Sequence, residues 1–330
     1  MKKSSYELTR RTFVQGMAGL AFSSATLAAR KNDKPSAPST QWIAACRDSL
    51  LKVTKKPDCW SAMKELGVTG VEVEVDPALA YPALYGPDKT HSLASPSGLQ
   101  SLKDRFSEEG LAITAFLMNN RFDERLDEEL QWTRKLVKAA QELDVKVIRI
   151  DIVSGRTKGE EFFTFAVKVC RQLCDIAQGT SVAYGIENHG STTNDPQFLQ
   201  RLFDAVDSPH IGLTLDTANF YWYGHPLDDL YKNFERFAPK VFHTHCKSIR
   251  YPQDKKNVRR PMGWEYAKYA CPIYEGDIDF ERVAAILRKA NYRGDLCLED
   301  ESIGKYPEAE QTEVLKKEIA LLKNLGRMEA

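Results

Sequence analysis

What most restricts this chain is an alternation of short β-rich runs with amphipathic helical stretches, repeated eight times from Trp42 onward. Each unit reads as an apolar run, a turn, a helix with an apolar stripe, and a Gly or Asp before the next run. Strands separated by a helix cannot pair as hairpins; the crossover makes them parallel. Strands are expected over residues 42–46, 70–75, 111–117, 145–151, 182–187, 211–216, 240–245 and 294–299. Helices are expected over residues 58–66, 97–109, 123–143, 159–178, 196–206, 226–237, from 279 onward, and 307–325. Eight such units predict a single-domain α/β fold, a (β/α)8 TIM barrel, over residues 41–330. A doubly wound sheet would more often carry a Gly-rich phosphate turn after its first strand, and Cys46-Arg47-Asp48-Ser49 is not one.

Residues 1–29 stand outside the repeat. Thr9-Arg10-Arg11-Thr12-Phe13-Val14-Gln15 matches the twin-arginine export pattern: a polar residue, paired arginines, then a spaced Phe and an apolar residue. The Gly-, Ala- and Ser-rich stretch that follows is too short and too weakly apolar for a membrane span. Leu27-Ala28-Ala29 supplies small residues for cleavage. The expectation is a twin-arginine signal peptide, with the twin-arginine translocase as its partner. The mature protein is then periplasmic or otherwise exported, with no membrane contact after signal removal. Residues 30–40, RKNDKPSAPST, are polar and Pro-containing and read as a disordered linker.

Charge separates the same parts. The 330 residues carry 46 basic and 46 acidic side chains, a net charge of zero. Residues 1–29 hold Lys2, Lys3, Arg10 and Arg11 against Glu7, which leaves 42 basic and 45 acidic side chains, a mature charge of −3. That balance is poor for a phosphate backbone, so no nucleic-acid partner is expected. Hydrophobic residues at 42% and charged residues at 28% exclude a disordered chain or a disulfide-stapled miniprotein. The seven cysteines are odd in number and form no C-x-x-C pair; several sit in apolar runs, as small buried hydrophobes do.

One connection is long. Roughly thirty residues without a strong period separate His245 from Asp279, and loops of that length are usually functional. They include Lys247, Arg250, Tyr251, Arg259, Arg260, Trp264 and Tyr266. Cations mixed with aromatics suit a polar, ring-shaped substrate; the plain alternative is an insertion. His91, His210 and His225 read as loop residues.

In barrels of this kind, chemistry collects where strands end and βα loops begin. The fifth run ends Ile186-Glu187-Asn188-His189, the sixth Leu215-Asp216-Thr217-Ala218-Asn219, the seventh His243-Thr244-His245-Cys246-Lys247, and the eighth Leu298-Glu299. Four successive apolar strands thus deliver a metal-competent side chain to one rim. Three carboxylates crowded into a dry mouth repel one another, and a divalent cation resolves the conflict. Three oxygens and one imidazole favour one Mn2+, with Mg2+, Co2+ or Zn2+ as alternatives.

With these motifs the chain resembles the sugar phosphate isomerase/epimerase family of xylose isomerase-like TIM barrels, which also includes endonuclease IV-type enzymes. The likeness runs from about Trp42 to the C-terminus and rests on I-E-N-H, L-D-T-A-N, H-T-H-C-K and the final L-E. The resemblance implies metal ligands at Glu187, Asp216, His245 and Glu299, and proton exchange by the catalytic pair Glu187 and Glu299. His189, Asn219, His243, Lys247 and Arg149 are then expected to bind sugar hydroxyls or tune the ligands. Arg149 reads alternatively as a barrel-interior ion pair with Asp151 or Glu74. Ketose 3-epimerases of the group carry a His where this chain has Asn219, and Gly-Glu where it has Lys247-Ser248. Endonuclease IV-type enzymes recruit further ligands from early strands, where Val75-Asp76 and Met118-Asn119 stand here, and no His follows His245. One metal is expected, and not a trinuclear nuclease.

The function so implied is an exported, divalent-metal-dependent sugar isomerase or epimerase. It acts by proton transfer next to a carbonyl, through an enediolate. Sugar phosphates are mainly cytoplasmic, so export points to a non-phosphorylated sugar or keto-glycoside. The same site suits a metal-dependent 3-keto-glycoside lyase or hydratase. A non-catalytic periplasmic sugar-binding protein is the reading from another class. A homo-oligomer is compatible with each.

Overall fold

The computed structural model describes residues 41–86 and 92–327. The expected export segment 1–29, the expected linker 30–40 and His91 lie outside the described residues. Eight parallel strands form one ring: β1 (Ile43–Arg47), β2 (Gly70–Glu74), β3 (Ala112–Leu117), β4 (Val147–Ile150), β5 (Ala183–Glu187), β6 (Ile211–Asp216), β7 (Val241–His245) and β8 (Asp295–Leu298). They pair in the order β8-β1-β2-β3-β4-β5-β6-β7. Cys246 closes the ring: its N–H donates to the Cys297 carbonyl at 2.7 Å, and its carbonyl accepts from the Glu299 N–H at 3.1 Å. Closure leaves no free sheet edge, and it seats Glu299 at the rim. The fold is the expected (β/α)8 TIM barrel.

The outer layer is α1 (Cys59–Leu66), α2 (Pro96–Glu109), α3 (Leu126–Glu142), α4 (Gly159–Ala177), α5 (Pro196–Val206), α6 (Leu227–Phe237), α7 (Phe280–Lys289) and α8 (Glu308–Arg327). Local chemistry sets their ends. Asp58, Ser95, Asp195 and Asp279 cap the first turns of α1, α2, α5 and α7 by accepting from backbone N–H groups. Gly67 takes a left-handed φ of +73° to stop α1. α4 buries Phe162, Ala166, Val169, Cys170, Leu173 and Ala177, one stripe at helical spacing against the barrel. Cys170 is there a buried hydrophobe, and all seven cysteines are free thiols. Among the described residues, no helix is long and apolar enough to cross a membrane.

Three departures from the sequence reading have physical causes. α3 starts at Leu126 instead of 123 because the Asp123 carboxylate serves the next loop: it accepts from the N–H groups of Gly155, Arg156 and Thr157 at 2.9, 2.5 and 2.8 Å. A 3-10 turn (Asp48–Thr54) follows β1, and a one-turn helix (Asn219–Trp222) follows β6. Both are too short to show a period. The connection after β7 is ordered around a two-stranded antiparallel ladder, Ser248–Ile249 with Ala270–Cys271. Its cations and aromatics largely face one another. Arg260 is buried, lies over the rings of Tyr221 and Tyr251 at 4.5 and 4.2 Å, and donates to the carbonyls of Tyr221 and His225 at 3.0 and 2.9 Å. Gly224, at φ +105°, lies so close to the Arg260 backbone that any Cβ would collide. Arg260 and Tyr251 therefore fasten the loop to the helix after β6 instead of lining the mouth.

Candidate metal centre

Strand alternation sends every second side chain into the barrel. At the rim this brings Glu187 (β5), Asp216 (β6), His245 (β7) and Glu299 (after β8) together. One donor atom from each lies within 4.8 Å of all the others, and all four residues are buried. His245 Nδ1 stands 3.2 Å from Glu187 Oε2 and 3.1 Å from Glu299 Oε2. Neither His245 Nδ1 nor Asp216 Oδ2 has a hydrogen-bond partner, although Lys247 Nζ lies 2.9 Å from that Asp216 oxygen. Buried polar atoms are rarely left unsatisfied. Two of them, aimed into a cluster of carboxylates, fit a bound cation, and the donor set fits a divalent one.

Each ligand is held from behind. Asp216 Oδ1 accepts from the N–H groups of Ala218 and Asn219 at 2.8 and 2.7 Å. Asn219 also donates its side-chain amide to Glu187 Oε1 at 2.9 Å. Arg149 Nε donates to Glu187 Oε2 at 2.5 Å and Arg149 Nη1 to Asp151 Oδ2 at 2.6 Å. Lys247 Nζ donates to Glu299 Oε2 at 3.1 Å and Glu301 Oε1 at 2.9 Å, and the Tyr266 hydroxyl donates to the other Glu301 oxygen at 2.5 Å. Arg47, at the end of β1, donates to Glu299 Oε1 at 2.7 Å and pairs with Glu74 Oε2 at 3.4 Å.

These partners set the charge of the centre. Burial works against ionised Glu187, but Arg149 and His245 hold its carboxyl well below the usual range. For Glu299 the same penalty is outweighed by His245, Lys247 and Arg47. Asp216 goes the other way: burial pushes its carboxyl up to about 7, Lys247 opposes this, and Glu187 and Glu299 add to it. Burial also disfavours a charged His245, yet Glu299, Glu72 and Glu187 hold its pKa well above the ordinary value. Asp216 alone of the three carboxylates is pushed toward its neutral form, which a cation held between the donors would reverse.

The expected substrate residues divide. Arg149, Asn219 and Lys247 touch the ligand carboxylates directly. His189 is partly exposed at the mouth, with Nδ1 2.9 Å from Asp151 Oδ1. A cavity of about 310 Å3 opens there, lined among others by Asn120, Phe122, Asp151, Phe162 and His189. His243 does not reach the mouth. It is fully buried one layer below His245, with Nδ1 2.8 Å from Asp295 Oδ1 and Nε2 3.1 Å from Glu72 Oε1. Both ring nitrogens are taken by protein carboxylates, so a sugar hydroxyl has no place on it. His210 and His225 sit in loops and bond the carbonyls of Val182 and Asn194.

Sequence reasoning passed over Glu72 and Arg47. A signal for Glu72 existed: Gly70-Val71-Glu72-Val73-Glu74 alternates on a strand whose outer face a helix covers, so its acidic face must look inward. Arg47 stands one residue past an apolar run that otherwise gives no hint of partners.

Comparison with known proteins agrees with this architecture. A family model described as a xylose isomerase-like TIM barrel matches residues 60–325. An inosose dehydratase from Clostridium perfringens is 26% identical over 117 residues, 34% of this chain, and the chain spans 38% of that relative's length. Among solved structures, the IOLI protein with a bound zinc atom has a TM-score of 0.61 at 17% identity, covering 85% of this chain and 97% of that one. A 3-keto-D-glucoside 4-epimerase from E. coli has a TM-score of 0.59 at 15% identity, covering 86% of this chain and 99% of that one. At such identities the two structures speak for the fold. With the closed barrel, the rim of candidate ligands and a match over most of its length, the chain belongs to the xylose isomerase-like TIM barrel family.

Proposed function

We propose that this chain is an exported, divalent-metal-dependent isomerase or epimerase of a non-phosphorylated sugar or keto-glycoside. One observation carries the reading: Glu187 and Glu299 present carboxylate oxygens 3.2 and 3.1 Å from the same His245 nitrogen, from opposite neighbours in the cluster. Glu187, Asp216, His245 and Glu299 would hold the ion, Mn2+ first, with Zn2+, Mg2+ or Co2+ as alternatives. Such an ion acidifies the C–H next to a carbonyl and stabilises the developing negative charge. A carboxylate on each side can then take the proton from one face of the substrate and return it to the other. Arg149 and Arg47 keep the two glutamates ionised, and Asn219 orients Glu187. His189 and Asp151 offer polar atoms at the mouth for hydroxyls, and the cavity beside them would take the rest of the substrate. The export pattern at residues 9–15 supports a periplasmic or otherwise exported location.

An elimination on the same site is the second reading, as a lyase or hydratase of 3-keto-glycosides. The likeness to an inosose dehydratase favours it. So does Lys247, an ammonium 2.9 Å from Asp216 and 3.1 Å from Glu299 that could meet a departing group. A purely sugar-binding protein has no use for four converging donors.

The test is solvent exchange. Protein supplied with Mn2+ is incubated in D2O with a panel of sugars and 3-keto-glycosides. Deuterium should enter at the carbon beside the carbonyl, and Glu299→Gln should slow this by about 100-fold or more. A released alcohol or an unsaturated sugar selects elimination over epimerisation. No deuterium in any member of the panel removes the enzyme reading.

A further inference from the structure

Beneath the rim, the barrel holds a line of polar side chains that the chemistry above does not use. Tyr292 donates its hydroxyl to Asp295 Oδ1 at 3.1 Å. Asp295 Oδ1 lies 2.8 Å from His243 Nδ1, and His243 Nε2 lies 3.1 Å from Glu72 Oε1. Glu72 then meets His245 Nε2 through both oxygens, at 3.1 and 2.9 Å. Glu72, His243 and His245 are fully buried. The line begins at the foot of β8 and ends on the imidazole of the metal centre. Beside it the β2–β3 pairing shifts register, Val71 facing Ile113 and Glu72 facing Ala115, so the extra residue is Thr114 of β3.

We propose that Glu72 is the positioning residue of the centre, fixing His245 so that it offers Nδ1, and only Nδ1, to the ion. This rests on the metal-centre reading above. A carboxylate only accepts hydrogen bonds, so the His245 nitrogen facing it must carry the proton. The opposite nitrogen, Nδ1, makes no hydrogen bond although Glu187 and Glu299 lie 3.2 and 3.1 Å away, so with Nε2 committed to Glu72 it is the nitrogen left to give up its proton to an incoming ion. A carboxylate behind a ligating imidazole sets both its tautomer and its ring plane. His243 and Asp295 complete the device. His243 meets a carboxylate at each nitrogen, so it donates to both and clamps Glu72 from the far side. Arg47 Nε adds a cation 3.3 Å from Glu72 Oε2.

A rival reading makes the same region a second metal site, since donor atoms of Glu72, His243 and Cys297 also lie within 4.8 Å of one another. The bonding pattern argues against it. Both His243 nitrogens are committed to carboxylates, which leaves no free nitrogen for a second ion.

The experiment titrates metal-free full-length protein with Mn2+ and Zn2+ by calorimetry, for the wild type and Glu72→Gln. Glutamine keeps the size but must turn an N–H toward one imidazole. Affinity should fall by about 10- to 100-fold, with one ion per chain in the wild type. Circular dichroism of the metal-free proteins checks that both are folded. A second readout needs no variant: ring-15N-histidine NMR of the Zn2+-loaded wild type should show His245 bound through Nδ1 with its Nε2 proton retained. Coordination through Nε2 overturns the proposal, as does a Glu72→Gln affinity within twofold of wild type. A second ion per chain that disappears in Cys297→Ala also overturns it. A wild type that binds no divalent ion overturns the metal-centre reading and this proposal together.

Discussion

Arg149 shows what a single residue carries here. It is 5% exposed and joins Glu187 to Asp151. Arg149→Met would keep most of the packed stem and leave Glu187 buried without its cation. Breaking one side of a buried pair typically costs about 3–5 kcal/mol. We expect a loss of that size in urea unfolding of metal-free protein, partly restored by Mn2+, which would supply the missing positive charge. A loss below about 1 kcal/mol, equal with and without Mn2+, would refute the role. Asn219→Ala removes a neutral donor from Glu187 and should cost only about 1 kcal/mol. Residues of this kind were legible in the sequence when one strand announced them. Glu187, Asp216, His245 and Glu299 each follow an apolar run, so position alone marked them. Arg149, with its Asp151 pairing, Asn219 and Lys247 were legible from the same strand ends, but Arg47 and Glu72 were not. Arg47 meets Glu299 across 252 positions of chain, a contact that exists only because β8 closes onto β1. His243 shared its motif with His245, but two residues back along a strand is one layer deeper, which changes a mouth residue into an interior one.

At the scale of elements, α8 is attached by an unusual device. Glu318 sits buried on its inner face and accepts from the Ile273 N–H at 2.9 Å, tying the helix to the long connection after β7. Burial, reinforced by Asp300 and opposed by that N–H, holds its carboxyl well above the ordinary range. A carboxyl whose folded pKa is raised adds stability at pH values below its unfolded pKa, and loses it as pH rises through the folded one. Glu318→Gln keeps the acceptor for Ile273 and cannot ionise. Its Tm should match the wild type near pH 5 and exceed it increasingly toward pH 8 or 9. Parallel curves across that range would show that Glu318 is not the titrating group. The helix itself was visible from its apolar stripe, and so were α5 and β6, whose boundaries agree with the sequence reading. The start of α3 and the fold of the long connection were not. Each depends on a distant partner, Asp123 on the loop at 155–157 and Arg260 on the helix after β6, and local pattern carries no trace of either.

For the whole molecule, the weak overall charge conceals a strong local one. The whole chain carries no net charge, yet one rim gathers Glu74, Asp151, Glu187, Asp216 and Glu299 against Arg47, Arg149, Lys247 and His245. Ring closure creates that cluster, since strands from both ends of the chain must meet to assemble it. Stability should therefore depend on whatever cation the rim holds. An ion that binds only the folded state adds RT ln(1 + [L]/Kd), about 2.7 kcal/mol at 100 times Kd. At about 2–4 °C per kcal/mol for domains of this order, chelation should lower Tm by roughly 5–10 °C. Restoring Mn2+ should raise it again with the logarithm of free metal, without saturating in the usual hyperbolic way. Asp216→Asn, which removes the ligand whose charge the protein least compensates, should flatten that slope while leaving the metal-free Tm equal or higher. If Tm is the same in chelator and in millimolar Mn2+, Zn2+, Mg2+ or Co2+, the rim is held together by its own arginines, lysine and histidines, and the metal-dependent reading fails.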